Sequence, residues 1–154
     1  MSERIYLTEG TLAMLIRWCQ VQWPNEACGL IAAHKESLTL GRRFVPITNV
    51  DPKPWRDYTM DEDEQLAAYA NFDRCDEEPI IAFHSHPKSS SELSPDDLRK
   101  AVDLTPAYLV VGYPAGNPRV DEVRAWRITM PFIGEKHVEE ITLEILDEGT
   151  AITE

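Results

Sequence analysis

Three short, continuous apolar runs constrain this chain more than any other feature: Cys28-Gly-Leu-Ile-Ala-Ala33, Ile80-Ile-Ala-Phe-His-Ser-His86 and Ala107-Tyr-Leu-Val-Val-Gly-Tyr113. Each is bounded by polar or proline-containing sequence and is too short for a buried helix, so each predicts an interior strand. The residues around them change to helical spacing. Leu12, Leu15, Ile16, Cys19 and Trp23 recur on one helical face after Thr8, which suits the N-cap, and Pro24 ends the helix. Asp61, with Glu64 three residues on, makes a capping-box-like start to a second helix. Leu66, Ala67, Ala70 and Phe72 form its expected inward stripe, and the acidic 61–64 run is a solvated first turn favoured by the helix dipole. Ser94-Pro95-Asp96-Asp97 supplies a cap and a proline at the first helical position, starting a third helix that reaches about Asp103.

Further strands are expected at Ile5 to Leu7, at Leu38 to Val45 as the antiparallel partner of 28–33, and at Val120 to Ile128, with two more strand-like stretches closing the chain. Pro46, Pro52 and Pro54 make 46–57 an exposed loop, and Pro114 to Pro118 is a turn. Strands interleaved with three helices predict an α+β, or mixed α/β, architecture. The 154 residues, 43% hydrophobic, suffice for one compact core and are short for two, so a single domain over 1–154 is expected.

Lys and Arg number 15 against 27 Asp and Glu, and the formal charge of -12 opposes binding to phosphate backbones or anionic lipid. No nucleic-acid or membrane partner is expected. No run approaches the roughly 20 apolar residues of a membrane span, and the N-terminus has no signal-type pattern, so the expected location is cytoplasmic. Cys19, Cys28 and Cys75 are odd in number and lack a Cys-x-x-Cys pair, which marks them as reduced core residues. Cys28 lacks a neighbouring base to activate its thiol.

Alternation along a strand puts His84 and His86 on one face, with Cα atoms about 6 to 7 Å apart, so their imidazoles can converge on one ion. Catalytic zinc takes such nitrogens and typically has three protein ligands plus water. Asp97 follows through a short loop in the first turn of the third helix and is placed to add a carboxylate oxygen. Hydrolysis also needs a proton acceptor outside the ligand set, and on spacing alone Glu26, Glu92 and Asp96 all qualify. His34 and His137 have no partner at ligand spacing.

Taken together, Glu26, then His84-Ser-His86-Pro87, with seven intervening residues between His86 and Ser94, two more and Asp97 resemble the complete motif of the JAMM (MPN+) zinc metallopeptidases. Pro24-Asn-Glu26-Ala-Cys-Gly-Leu-Ile31 is similar to the helix-to-strand segment that carries the glutamate there, and the resemblance covers roughly residues 5 to 128. It implies the cytidine-deaminase-like MPN fold, a mostly antiparallel sheet flanked by about three helices. It also implies one Zn2+ per chain on His84, His86 and Asp97, with Glu26 as general acid/base and Ser94 as oxyanion donor. Ser94 is at the same time a good helix cap, and both roles can hold.

Prokaryotic stand-alone members of that family act on ubiquitin-like sulfur-carrier proteins, cutting after a C-terminal Gly-Gly, and the resemblance implies this partner class for a monomer or homodimer. An isopeptidase acting on lysine-linked modifiers shares the chemistry, while a non-catalytic MPN scaffold would lack the motif that is filled here. Ser89, Ser90 and Ser91 form either a wall of the site or a flexible connector, and Trp55, Arg56 and Tyr58 either contact the substrate tail or pack the proline loop, with packing expected for Trp55 and Tyr58.

Overall fold

The computed structural model describes residues 3–113 and 122–147. Along the chain come β1 (Arg4–Thr8), α1 (Glu9–Gln22), β2 (Cys28–His34), β3 (Leu40–Gly41), β4 (Arg43–Ile47) and α2 (Glu62–Arg74), then β5 (Glu77–His86), α3 (Pro95–Lys100), β6 (Ala107–Gly112), β7 (Glu122–Phe132) and β8 (Glu135–Leu146). The strands form one sheet in the order β3-β1-β8-β7-β6-β5-β2-β4. Pairs β2–β4, β2–β5, β6–β7 and β7–β8 are antiparallel, whereas β1–β3, β1–β8 and β5–β6 are parallel. The three apolar runs become the neighbouring strands β2, β5 and β6.

Their side chains alternate between two cores. Ile31, Ile81, Phe83, Leu109 and Val111 pack with Leu15 and Cys19 of α1 on one side of the sheet. Leu30, Ala32, Ala82 and Tyr108 pack with Ala68 and Phe72 of α2 and with Ala101 just beyond α3 on the other. By the same alternation, His84 and His86 continue the α2/α3 face and Ser85 the α1 face. No described helix is long and apolar enough to cross a membrane.

All three expected caps are in place: Thr8 Oγ1 accepts from Thr11 N–H, an Asp61 carboxylate oxygen from Glu64 N–H, and Ser94 Oγ from Asp97 N–H. The inward stripe of α2 differs from expectation. Phe72 is the largest apolar side chain on that helix, and seating it in the core brings Ala68, four residues earlier, inward with it. Leu66 is then 61% exposed, and Ala67 and Ala70 also face outward.

The expected strand 38–45 is two strands. Leu40 and Gly41 leave β2 to pair with the open edge of β1, where Tyr6 N–H reaches the Thr39 carbonyl at 2.8 Å, and only from Arg43 does the chain return along β2. Pro46 belongs to β4, a strand at the sheet edge that tolerates its missing N–H. Helix α3 stops at Lys100 because Ala101 turns extended into the core, while Lys136 Nζ donates to the Leu98 and Ala101 carbonyls. The two closing stretches are the extension of β7 to Phe132 and the single strand β8. The turn expected at 114–118 and the first residues of the 120–128 strand lie outside the described residues. Cys19 and Cys28 are buried, but Cys75, at the C-cap of α2, is exposed and is no core residue.

Candidate active site

At the end of β5, His84 and His86 aim their Nε2 atoms at each other, 3.1 Å apart. Asp97 Oδ2 completes the triangle, 3.1 Å from His84 Nε2 and 3.0 Å from His86 Nε2. Helix α3 delivers this carboxylate through its own cap, since Asp97 Oδ2 also accepts the Ser94 N–H at 2.9 Å. Ligand atoms about 2.0 to 2.1 Å from a tetrahedral zinc lie about 3.3 to 3.4 Å apart, so the triangle is a slightly tight face of such a tetrahedron.

The protons argue for a cation at this point. His86 Nδ1 faces the Ser90 carbonyl at 2.7 Å, so in the neutral ring its hydrogen belongs on Nδ1. Nε2 then presents a lone pair to the carboxylate of Asp97, an unfavourable contact unless a proton or metal lies between them. The shifts agree with this picture. Hydrogen bonds to Asp97 and Ser90 overcome burial and raise the pKa of His86, whereas burial dominates at fully enclosed His84 and lowers it. Burial alone would raise the Asp97 pKa, but contacts with both histidines hold it far below the ordinary carboxylate range. His84, Nδ1 of which has no partner among the described residues, stacks on Tyr58 at 4.5 Å between ring centroids. These three residues could hold a metal ion.

Glu26 and Ser94 share a cleft of about 390 Å³ with His86 and Asp97, bounded further by Arg56, Asp57, Ser89, Pro95 and Asp96. Glu26 is only 6% exposed, and burial pushes its pKa up to about 8, with the nearby charges of Asp97 and Asp57 adding to the rise against the opposing pull of His86. A cation held by the three neighbouring candidate ligand atoms would oppose that rise. Of the other acids eligible on spacing, Asp96 lines the rim and Glu92 is exposed, 3.8 Å from Arg124.

Against this geometry, the sequence pattern described as prokaryotic homologs of the JAB domain matches residues 8–129. The chain belongs to this family. It is 30% identical over 115 residues to a CysO-cysteine peptidase of Mycobacterium tuberculosis, covering 75% of this chain and 76% of that one. A probable TtuB-protein conjugate cleaving protease of Thermus thermophilus is 33% identical over 106 residues, 69% of this chain and 66% of the relative. In structure, the chain is similar to a protein from Desulfitobacterium hafniense, with TM-score 0.80, 26% identity and 94% of each chain covered. A JAB1/MPN domain protein from Archaeoglobus fulgidus has TM-score 0.58 at 15% identity, over 93% of this chain and 98% of that one, a likeness of fold alone. The MPN fold implied by the motif is the fold observed.

Several supports of this JAB-family site escaped the reading of the sequence. Ser85, between the two histidines, faces the opposite way and accepts the Ala27 N–H at 2.8 Å, while its own N–H donates to the Ala27 carbonyl at 3.0 Å. Glu26 N–H donates to the Pro54 carbonyl at 2.7 Å, and Asn49 Nδ2 donates to the Glu26 carbonyl at 2.9 Å and the Asp57 carbonyl at 3.0 Å. The backbone of the glutamate is thus held by Pro54 and Asn49 of the proline loop, and that of its neighbour Ala27 by Ser85 of β5. Only strand alternation gave a sign of Ser85, and nothing local marked Asn49.

The serine loop is no flexible connector. Ser91 is fully buried, its N–H and hydroxyl donating to Glu122 Oε2 at 3.0 and 2.8 Å, and its carbonyl accepts the Trp126 indole N–H at 2.9 Å. Gly112 makes room for this loop: a Cβ there would lie 2.6 Å from Ser91 N and 2.8 Å from the Ser90 carbonyl carbon. Trp55 is 57% exposed, contrary to the packing role expected of it, whereas Tyr58 does pack, against His84. His34 and His137 are exposed, and burial pushes the Cys28 thiol up to about 12, consistent with an inert core residue.

Proposed function

We propose that the chain is a zinc-dependent peptidase that hydrolyses the bond after the C-terminal Gly-Gly of a ubiquitin-like sulfur-carrier protein, releasing an amino acid or short extension. The observation that carries this reading is the triangle of His84, His86 and Asp97 atoms beside the cleft that holds the buried carboxyl of Glu26. The names of the relatives, a CysO-cysteine peptidase and a TtuB-protein conjugate cleaving protease, support the substrate class.

Zinc bound by these residues would supply Lewis acidity for both a water and the scissile carbonyl. Glu26 takes the proton from the attacking water and passes it to the departing amine. Its clamped backbone fixes where that transfer happens. Ser94 Oγ accepts the Asp97 N–H at 3.0 Å, which occupies a lone pair and leaves its hydrogen free to donate to the carbonyl oxygen as negative charge develops. Cap and oxyanion donor are therefore compatible in one hydroxyl.

A second reading, cleavage of lysine-linked conjugates, is favoured by the relative named for TtuB-protein conjugates and by a desampylase of Haloferax volcanii, 27% identical over 78 residues. The chemistry is unchanged and only the leaving amine differs. The deciding experiment incubates zinc-loaded protein with ubiquitin-like carriers bearing different extensions or lysine-linked targets and weighs the products. Mass loss at the bond after Gly-Gly supports the proposal; intact substrates, or a folded chain that takes up no zinc, would leave the scaffold role instead.

A further inference from the structure

Resting on that peptidase reading, we propose that Arg56 receives the free α-carboxylate of the amino acid on the leaving side, so that the site selects carriers extended by a single residue. The cleft is acidic. Glu26, Asp57, Asp96 and Asp97 line it, and among the described lining residues Arg56 is the one with a guanidinium or ammonium group, Lys100 pairing with Asp57 from outside the lining. A substrate carboxylate entering such a cleft needs a cation to meet it, and a guanidinium fork fits a carboxylate through two parallel hydrogen bonds.

The fork is available. Among the described residues, Arg56 has one ion pair, through Nε to Asp57 Oδ2 at 3.6 Å, beyond hydrogen-bond length, and its side chain is 63% exposed. The competing acids are already matched. Lys100 Nζ stands 3.3 Å from Asp57 Oδ1 and 4.0 Å from Asp96 Oδ2, and Arg99 pairs with Asp96.

Position decides which part of the substrate Arg56 reads. The chain segment that carries it is tied to Glu26, since the Pro54 carbonyl accepts the Glu26 N–H, and the turn is fixed by Arg56 and Asp57 N–H groups on the Lys53 carbonyl at 3.1 and 3.0 Å. Arg56 is thus carried by the segment that holds the Glu26 backbone, and it lines the same cleft as the Glu26 carboxyl, the group proposed to hand a proton to the departing amine. In a C-terminal amino acid that amine is two bonds from the carboxyl carbon. In a lysine-linked conjugate the departing ε-amine has no free carboxylate within that reach, so Arg56 distinguishes the two substrate types.

The test measures binding to the inactive Glu26→Gln protein, zinc-loaded, with and without Arg56→Gln. The probe is a ubiquitin-fold carrier ending Gly-Gly-Ala, prepared as free acid and as C-terminal amide. The free acid should bind about 10- to 100-fold tighter than the amide, the range expected of a charge-assisted pair. Arg56→Gln should remove that preference by weakening the acid alone, and Arg56→Lys, which keeps charge without the fork, should restore part of it. Equal affinity for acid and amide in the Arg56 protein, or equal loss for both in Arg56→Gln, overturns the assignment while leaving the substrate class standing. Binding of neither form overturns both.

Discussion

At the scale of single residues, the proposed chemistry concentrates on Glu26. Glu26→Gln preserves volume and the clamped backbone but removes the proton acceptor. It should lower kcat by about 100- to 10,000-fold with zinc stoichiometry unchanged, measured by turnover alongside elemental analysis. The same residue predicts a pH dependence in the metal-free protein. From its ordinary value of 4.5 to its folded value of about 8, the folded chain holds a proton on Glu26 that the unfolded chain has released. The native state then binds more protons, so stability declines as pH rises across that window. Melting curves of chelated protein should show this decline, and Glu26→Gln should flatten it.

Among the elements, β5 and α3 define the site, each doing two things with adjacent residues. Strand β5 alternates candidate ligand, brace, candidate ligand: His84 and His86 on one face, Ser85 on the other holding Ala27 beside the proposed general base. Ser85→Ala leaves the buried Ala27 N–H without its side-chain acceptor. Thermal or denaturant unfolding should show a loss of about 1 to 3 kcal/mol. Turnover should fall too while zinc content stays constant, because Glu26 is displaced and the ligands are not. In α3, one reciprocal pair of hydrogen bonds between Ser94 and Asp97 both starts the helix and aims the carboxylate.

This division explains what could be foreseen. Caps at Thr8, Asp61 and Ser94 and the strand runs follow from nearest neighbours, and the ligand spacing follows from strand alternation and a helix start. The face of α2, the departure of Leu40-Gly41 to β1, and the bracing by Asn49 and Tyr58 depend on contacts between distant segments, which no local pattern records. The Ser94 cap follows from neighbouring residues, whereas the oxyanion role proposed for it rests on the family resemblance, because an oxyanion donor is defined by what stands across the cleft.

For the molecule as a whole, both cores are complete without an ion, since the two faces of the sheet are filled by aliphatic and aromatic side chains. Removing zinc by chelation should therefore leave the far-ultraviolet circular dichroism of the sheet intact while lowering Tm, by an amount that grows with the free zinc previously present. Loss of the fold on chelation would contradict this separation of core from site. The -12 charge belongs to this scale as well, and its influence on partners should weaken with added salt. Across the sheet, one bare backbone position has an outsized say in the chemistry. Because Gly112 carries no side chain, the serine loop can lie flat on β6, and its Ser90 carbonyl fixes which nitrogen of His86 carries hydrogen. The electron pair that His86 would offer to the proposed metal is thus underwritten by an absent methyl group on the next strand, and a change as small as Gly to Ala there should weaken zinc uptake without altering any of the three candidate ligands.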